Sequence, residues 1–287
     1  ACPTEDSRIM LDTTPGKVVQ LSPLTRRIVA PNGSRMTGPG TNAYLIGTKQ
    51  IALIDPGPAD ETHMQAILKA GDGRIRWILV THTHSDHSPG AAFLSKITGA
   101  ELVGMPPPND PHQDLSFAPD REMAHGQLLK TEEFTLEALY TPGHVCNHLC
   151  YLLREEKLLM TGDHIMNGST VVIIPPHGVM VDYLASLELL KSYDLERIAP
   201  GHGNIMETPH QVAQAIINHR LKREQLIINV LKQRGSSTVT ELTPPVYRGT
   251  PKNLFDMAEK SLLAHLIKLE TEQRAAREDD IWRLIDT

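Results

Sequence analysis

The sequence predicts an α+β protein in two parts, on three observations. Through the first two hundred residues, short apolar runs of strand length alternate with helically spaced patterns. After Pro209 the texture turns helical and closes in a short β-like tip. Apolar residues make up 40% and charged residues 22% of the 287, a balance that excludes a disordered chain. At about 150 residues per domain, this length suits one to two domains.

Residues 43–46 and 51–54 flank Gly47-Thr48-Lys49-Gln50 and read as a hairpin. Residues 75–80 form a compact apolar run, a strand, followed by a polar loop and a helix over 91–97. Strands are expected at 134–140, 148–153 and 158–161, with Arg154-Glu155-Glu156-Lys157 turning between the last two. Leu184, Leu187 and Leu190 mark a helix over 182–193, and 197–199 is a short final strand. The proline-rich runs 105–111 and 174–178 lack backbone donors, so they leave any ladder and cross the surface as loops. Beyond Pro209, Ala213, Ile217, Leu221, Ile228 and Leu231 keep helical spacing up to a stop at Gly235. A Thr/Pro/Gly-rich stretch, 243–251, precedes a second helix marked by Ala258, Leu262, Leu266 and Leu269, and 281–285 supplies the tip. That order is the order of a winged helix-turn-helix. The predicted division is 1–208 and 209–287.

The net charge of −6 disfavours a generally basic nucleic-acid binder. It is unevenly spread: residues 210–287 hold 12 Lys/Arg against 10 Asp/Glu, leaving 16 against 24 before them. No run approaches the roughly 18 apolar residues of a spanning helix, so no membrane segment is expected. The opening residues Ala1 to Asp6 have no basic or apolar signal region, so no secretory signal is expected. Three cysteines, Cys2, Cys146 and Cys150, give no disulfide framework and suit the cytoplasm or another reducing compartment. The last two read as small buried thiols, because C-x3-C is not a strong zinc spacing.

The chemistry is concentrated after the 75–80 strand, in Thr81-His82-Thr83-His84-Ser85-Asp86-His87-Ser88. Four metal-ligand types fall within six positions. His82 and His84, two apart, can project the same way, while Asp86 and His87 can face a neighbouring site. A single zinc takes about four ligands, so two ions need ligands from elsewhere. His144, Asp163 and His202 arrive, each at a strand-to-loop junction and each preceded by glycine. A glycine there lets the backbone turn sharply toward a common cavity.

These motifs resemble the metallo-β-lactamase superfamily, from Leu53-Ile54-Asp55-Pro56-Gly57 onward. The resemblance implies an αββα sandwich carrying two metals at the sheet edges. It implies one metal on His82, His84 and His144, a second on Asp86, His87 and His202, and Asp163 bridging both with a hydroxide. It places Asp55 behind a ligand histidine, holding it in orientation. Asp86, besides its ligand role, and His148 are assigned to catalysis, His148 as proton donor four residues past His144. True β-lactamases of the superfamily have no aspartate at the Asp163 position, so β-lactam hydrolysis is at most a side activity. With its tail, the chain is most similar to the superfamily's β-lactamase-like proteins with a C-terminal winged helix, a group that includes a single-strand-specific endoribonuclease.

Two divalent ions about 3.5–4 Å apart bring the pKa of a bridging water toward about 7 and stabilise an oxyanion, so the expected reaction is hydrolysis at a carbonyl or phosphoryl centre. Histidine-rich ligation favours zinc, with manganese or iron as alternatives. The leading expected substrate is single-stranded RNA, with Arg220, Lys222 and Arg223 as phosphate contacts. The rival is an acyl thioester or ester, whose leaving thiol needs no acid. A third reading is a non-enzymatic nucleic-acid-binding regulator. Lys252, Asp256, Glu259, Lys260 and Lys268 on the last helix are mixed in sign, which points instead to scaffolding or oligomerisation through the C-terminal part.

Overall fold

The computed structural model describes residues 11–285. Cys2 and the opening residues read for a secretory signal lie outside them. One sheet has seven strands in sequence order: β1 (Val18–Gln20), β2 (Thr25–Val29), β3 (Asn42–Ile46), β4 (Ile51–Ile54), β5 (Ile75–Leu79), β6 (Glu101–Gly104) and β7 (Arg121–Glu122). The chain then crosses into a six-stranded sheet of β8 (Leu128–Lys130), β9 (Thr135–Tyr140), β10 (Leu149–Leu153), β11 (Leu158–Gly162), β12 (Arg197–Pro200) and β13 (Met206–Glu207), ordered 13-12-11-10-9-8. Pairs β4–β5, β5–β6 and β11–β12 are parallel, so their C-terminal ends point one way.

Alternation along the strands builds three apolar layers. Tyr44, Ile46, Ile54, Leu149, Tyr151 and Leu153 face the gap between the two sheets. Leu45, Leu53 and Ile78 face outward onto α1 (Glu61–Gly71) and α2 (Gly90–Thr98), meeting Met64, Ile67 and Leu94. On the far side Cys150, Leu152 and Leu159 meet Leu187 of α3 (Met180–Leu190) and Ala213 of α4 (Pro209–Arg234). The αββα sandwich is therefore present. Strands buried on both faces read as continuous apolar runs, which is why β4, β5 and β10 are conspicuous in the sequence.

The C-terminal part adds β14 (Ser236–Ser237), α5 (Val239–Val246), α6 (Phe255–Thr271), β15 (Ala275–Glu278) and β16 (Ile281–Leu284), the strands forming a three-stranded wing. Trp282 is buried against Leu231, Leu262 and Leu266. Helix α4 serves both parts, its first half packing with α3 and its second half in the core of the wing domain.

Within the Thr/Pro/Gly-rich stretch, 243–246 completes α5 despite Pro244 and Pro245. Thr238 and Glu241 cap its start reciprocally, and Leu242 and Val246 are buried, so capping and packing override the prolines. Lys268, read with the mixed-sign charges of the last helix, is buried and paired with Glu224 at 2.8 Å.

Candidate metal centre

Every predicted ligand sits where a strand gives way to a loop. Asp55 follows β4; His82, His84, Asp86 and His87 follow β5; His144 follows β9; Asp163 and His202 follow β11 and β12. The strand directions bring these ends to one edge of the sandwich. His82, His84, His144 and Asp163 present one ligand atom each within 4.8 Å of one another, and so do Asp86, His87 and His202.

In the first group, His82 Nε2 and His144 Nε2 stand 2.9 and 3.0 Å from His84 Nδ1. In the second, His202 Nε2 lies 3.2 Å from Asp86 Oδ2. Asp163 joins the two, with Oδ2 3.7 Å from His144 Nε2 and Oδ1 3.3 and 3.2 Å from His87 and His202 Nε2.

Partners behind the rings select the tautomers. His87 Nδ1–H donates to Asp55 at 2.9 Å, His144 Nδ1–H to the Val172 carbonyl at 2.8 Å, and His202 Nδ1–H to the Gly40 carbonyl at 3.3 Å. His82 Nδ1–H donates to the Thr81 hydroxyl, which in turn donates to Asp55 Oδ2. Each therefore turns Nε2 inward. His84 is the exception, facing the group through Nδ1.

Burial, helped by neighbouring imidazoles and only partly offset by the Asp163 carboxylate, pushes His82, His84 and His144 down, His84 to about 3, so these rings are neutral. In the second group burial is outweighed: Asp163 and Asp86 raise His202 to about 9, and the same carboxylates hold His87 well above the imidazole range. Asp86 falls to about 2 against its own desolvation, because His87 and His202 face it.

The glycines work by different means. Gly143 has φ +135°, and a Cβ there would meet the Tyr183 backbone at 2.3 Å. Gly201 lacks a positive φ; it is needed for space, since a Cβ would lie 2.8 Å from His87 Cε1 and 2.9 Å from Asp163 Oδ1.

His148 is not at the open face. It is wholly buried behind His82, their rings 5.1 Å apart and inclined by 29°, with Nδ1 on the Thr141 hydroxyl at 3.0 Å. Burial drives its pKa far down, so the ring is neutral rather than an imidazolium able to act as a general acid. His164 is equally buried and neutral. His177 is more open, 3.6 Å from Asp110. Tyr183 is buried and donates to the His164 carbonyl.

The basic cluster also departs from expectation. Arg220 is buried, donating to the Val171 carbonyl and lying 5.4 Å over the Tyr183 ring. Arg223 donates to the Val246 carbonyl and stacks 4.1 Å over Tyr247. Lys222 alone of the three is exposed.

Sequence reasoning missed the supports. Asn42 Nδ2 donates to the Pro200 and Gly203 carbonyls at 2.9 Å each and so clamps the His202 loop. Its one signal was a polar residue opening an apolar strand. Thr81 and Thr141 flank ligands but carry no spacing signature.

Two facing sheets with a His/Asp cluster at their shared edge, followed by a winged helix, define a class of hydrolases. A family model described as Metallo-beta-lactamase superfamily matches residues 36–202, and a Beta-lactamase associated winged helix domain matches 238–282. A Drosophila melanogaster protein named Beta-lactamase-like protein 2 homolog is 33% identical over 89% of this chain and 90% of its own length. An Aspergillus fumigatus protein named Atrochrysone carboxyl ACP thioesterase is 30% identical over 82% of this chain and 77% of its own. Among solved structures, a Beta-lactamase domain protein from Burkholderia ambifaria superposes with TM-score 0.79 at 19% identity, covering 96% of both chains. The chain belongs to the metallo-beta-lactamase superfamily and is a hydrolase of it. Among the described residues, no helix is long and apolar enough to cross a membrane.

Proposed function

We propose that the protein is a dinuclear metal-dependent hydrolase of acyl thioesters. The ligand sets fit two divalent ions. Three neutral imidazole nitrogens converge, those of His82 and His144 standing 2.9 and 3.0 Å from His84 Nδ1, and buried His87 Nε2 and Asp163 Oδ1 have no hydrogen-bond partner. His82, His84 and His144 would hold one ion, Asp86, His87 and His202 the other, with one oxygen of Asp163 toward each. Ions there supply Lewis acidity and water of lowered pKa, and zinc suits the imidazole-rich set.

The chain's own groups orient and exclude. Asp55, Gly40 and Val172 fix the ring tautomers, and His148 backs His82 as a neutral, dry wall. Asp86, ionised and partly open, faces the second set from the solvent side.

The observation that separates substrates is the burial of His148. An alkoxide leaving from RNA needs an acid, whereas a thiol of pKa about 8.5 departs unaided. The inward-turned Arg220 and Arg223 point the same way, removing two of three expected phosphate contacts. The relative named as a carrier-protein thioesterase supports this reading. RNA cleavage is the alternative that the experiment decides.

Metal-loaded protein should hydrolyse acyl thioesters at rates that vary little with salt, and leave single-stranded RNA intact. Asp163→Ala should lower bound metal, measured by elemental analysis, and abolish hydrolysis. Efficient RNA cleavage that weakens steeply with salt would reverse the assignment.

A further inference from the structure

A cavity of about 480 Å³ lies at the seam between the sandwich and the winged helix, and no step above uses it. Its catalytic-side wall includes Val171 and Val172, the latter being the residue whose carbonyl orients His144. The opposite wall comes from the winged-helix part, through Arg223, Thr250, Met257 and Ser261. The cavity therefore needs both parts, which Arg220 of α4 helps to join by donating to the Val171 carbonyl.

Three kinds of group line it. Met36, Val172, Leu254 and Met257 supply apolar surface; Thr250 and Ser261 supply hydroxyls; Arg35, exposed, supplies positive charge, while Arg223 is held by the Val246 carbonyl and the Tyr247 ring. A plain fatty chain would leave the hydroxyls and the Arg35 cation unmatched. A chain with methylene segments, amides and a terminal phosphate matches all three.

We infer that this cavity binds the phosphopantetheine arm of the thioester substrate, with Arg35 on its phosphate and the amides among Thr250 and Ser261. The inference rests on the thioesterase reading and adds where the carrier half of the substrate lies. It also gives the winged helix a task, which is to form one wall of the substrate site.

The test uses one acyl group carried on N-acetylcysteamine, on pantetheine and on phosphopantetheine. Remote binding energy raises kcat/KM, so the wild type should prefer the phosphopantetheine ester over the shortest by roughly tenfold or more. Met257→Trp, which fills the cavity from a half-buried position, should erase that preference and leave the N-acetylcysteamine ester within about twofold. Arg35→Ala should weaken only the phosphorylated substrate. Calorimetric titration of full-length protein with free phosphopantetheine should show binding that Met257→Trp removes.

An equal loss on the N-acetylcysteamine ester would mean that the acyl group occupies the cavity and would overturn the inference. So would calorimetric silence in the wild type. If none of the three esters is cleaved, the thioesterase reading falls, and calorimetry alone then decides whether the cavity takes the arm.

Discussion

Asp55 carries more of the centre than its distance from it suggests. One carboxylate accepts from the Thr81 amide and hydroxyl at 2.7 Å each and from His87 Nδ1–H at 2.9 Å. It thereby orients His87 directly and His82 through Thr81. In Asp55→Asn one acceptor oxygen becomes an NH₂ group facing donors, so either the Thr81 amide, or His87 Nδ1–H together with the Thr81 hydroxyl, loses its acceptor. Metal affinity, read by chelator competition, should fall by about 10–100-fold while the fold persists. Unchanged affinity would show that packing alone orients the ring. His148 teaches the complementary point: an ionisable side chain four residues past a ligand histidine became a neutral wall because it is wholly buried and nothing bonds its Nε2.

Among the elements, α5 depends most visibly on a single device. Glu241 N–H donates to Thr238 Oγ1 at 3.3 Å, and the Glu241 carboxylate accepts from the Thr238 amide at 2.9 Å. Pro244 and Pro245 remove two backbone donors from a helix of eight residues, so the cap has few hydrogen bonds to assist it. Thr238→Ala should cost about 1 kcal/mol in urea unfolding and increase hydrogen exchange across α5 first. Thr238→Ser should restore both. Protection unchanged in the alanine variant would locate the stability of α5 in Leu242 and Val246 instead.

For the molecule as a whole, the winged-helix core is tied together by a buried charge. Glu224 on α4 meets Lys268 of α6 at 2.8 Å and Arg274, beside β15, at 3.1 Å, with His265 also against it. Burial alone would raise this carboxyl, but His265 and Lys268 hold it down to about 2. A depressed carboxylate contributes stability above its unfolded pKa of about 4.3 and loses it as pH falls through the folded value. The advantage of wild type over Glu224→Gln should therefore shrink by up to about 3 kcal/mol between pH 5 and pH 2. Chemical unfolding at stepped pH measures it, and a gap that stays constant would rule out the charge as its source. Arg220 and Val171 extend the same tie to the sandwich, so loosening it should also disturb the seam cavity.

The His/Asp cluster and the order of strands and helices were legible in the sequence, and the αββα sandwich followed from the family resemblance. His82, His84, Asp86 and His87 crowd a strand end, and the continuous apolar runs of β4, β5 and β10 are legible without neighbours, because strands buried on both faces keep few polar positions. The Gly-His and Gly-Asp steps were legible too, although Gly201 proved to be about space rather than backbone freedom. Only the tertiary structure decided which polar residues face water. His148, Arg220 and Lys268 read as an acid, a phosphate contact and one of the last helix's mixed-sign charges, and all three are buried by elements far away in the chain. Whether a side chain keeps its proton, its charge or its access depends on what packs over it, and no local pattern encodes that. The seam cavity belongs to the same class, since its walls are brought together only by α4 running through both domains.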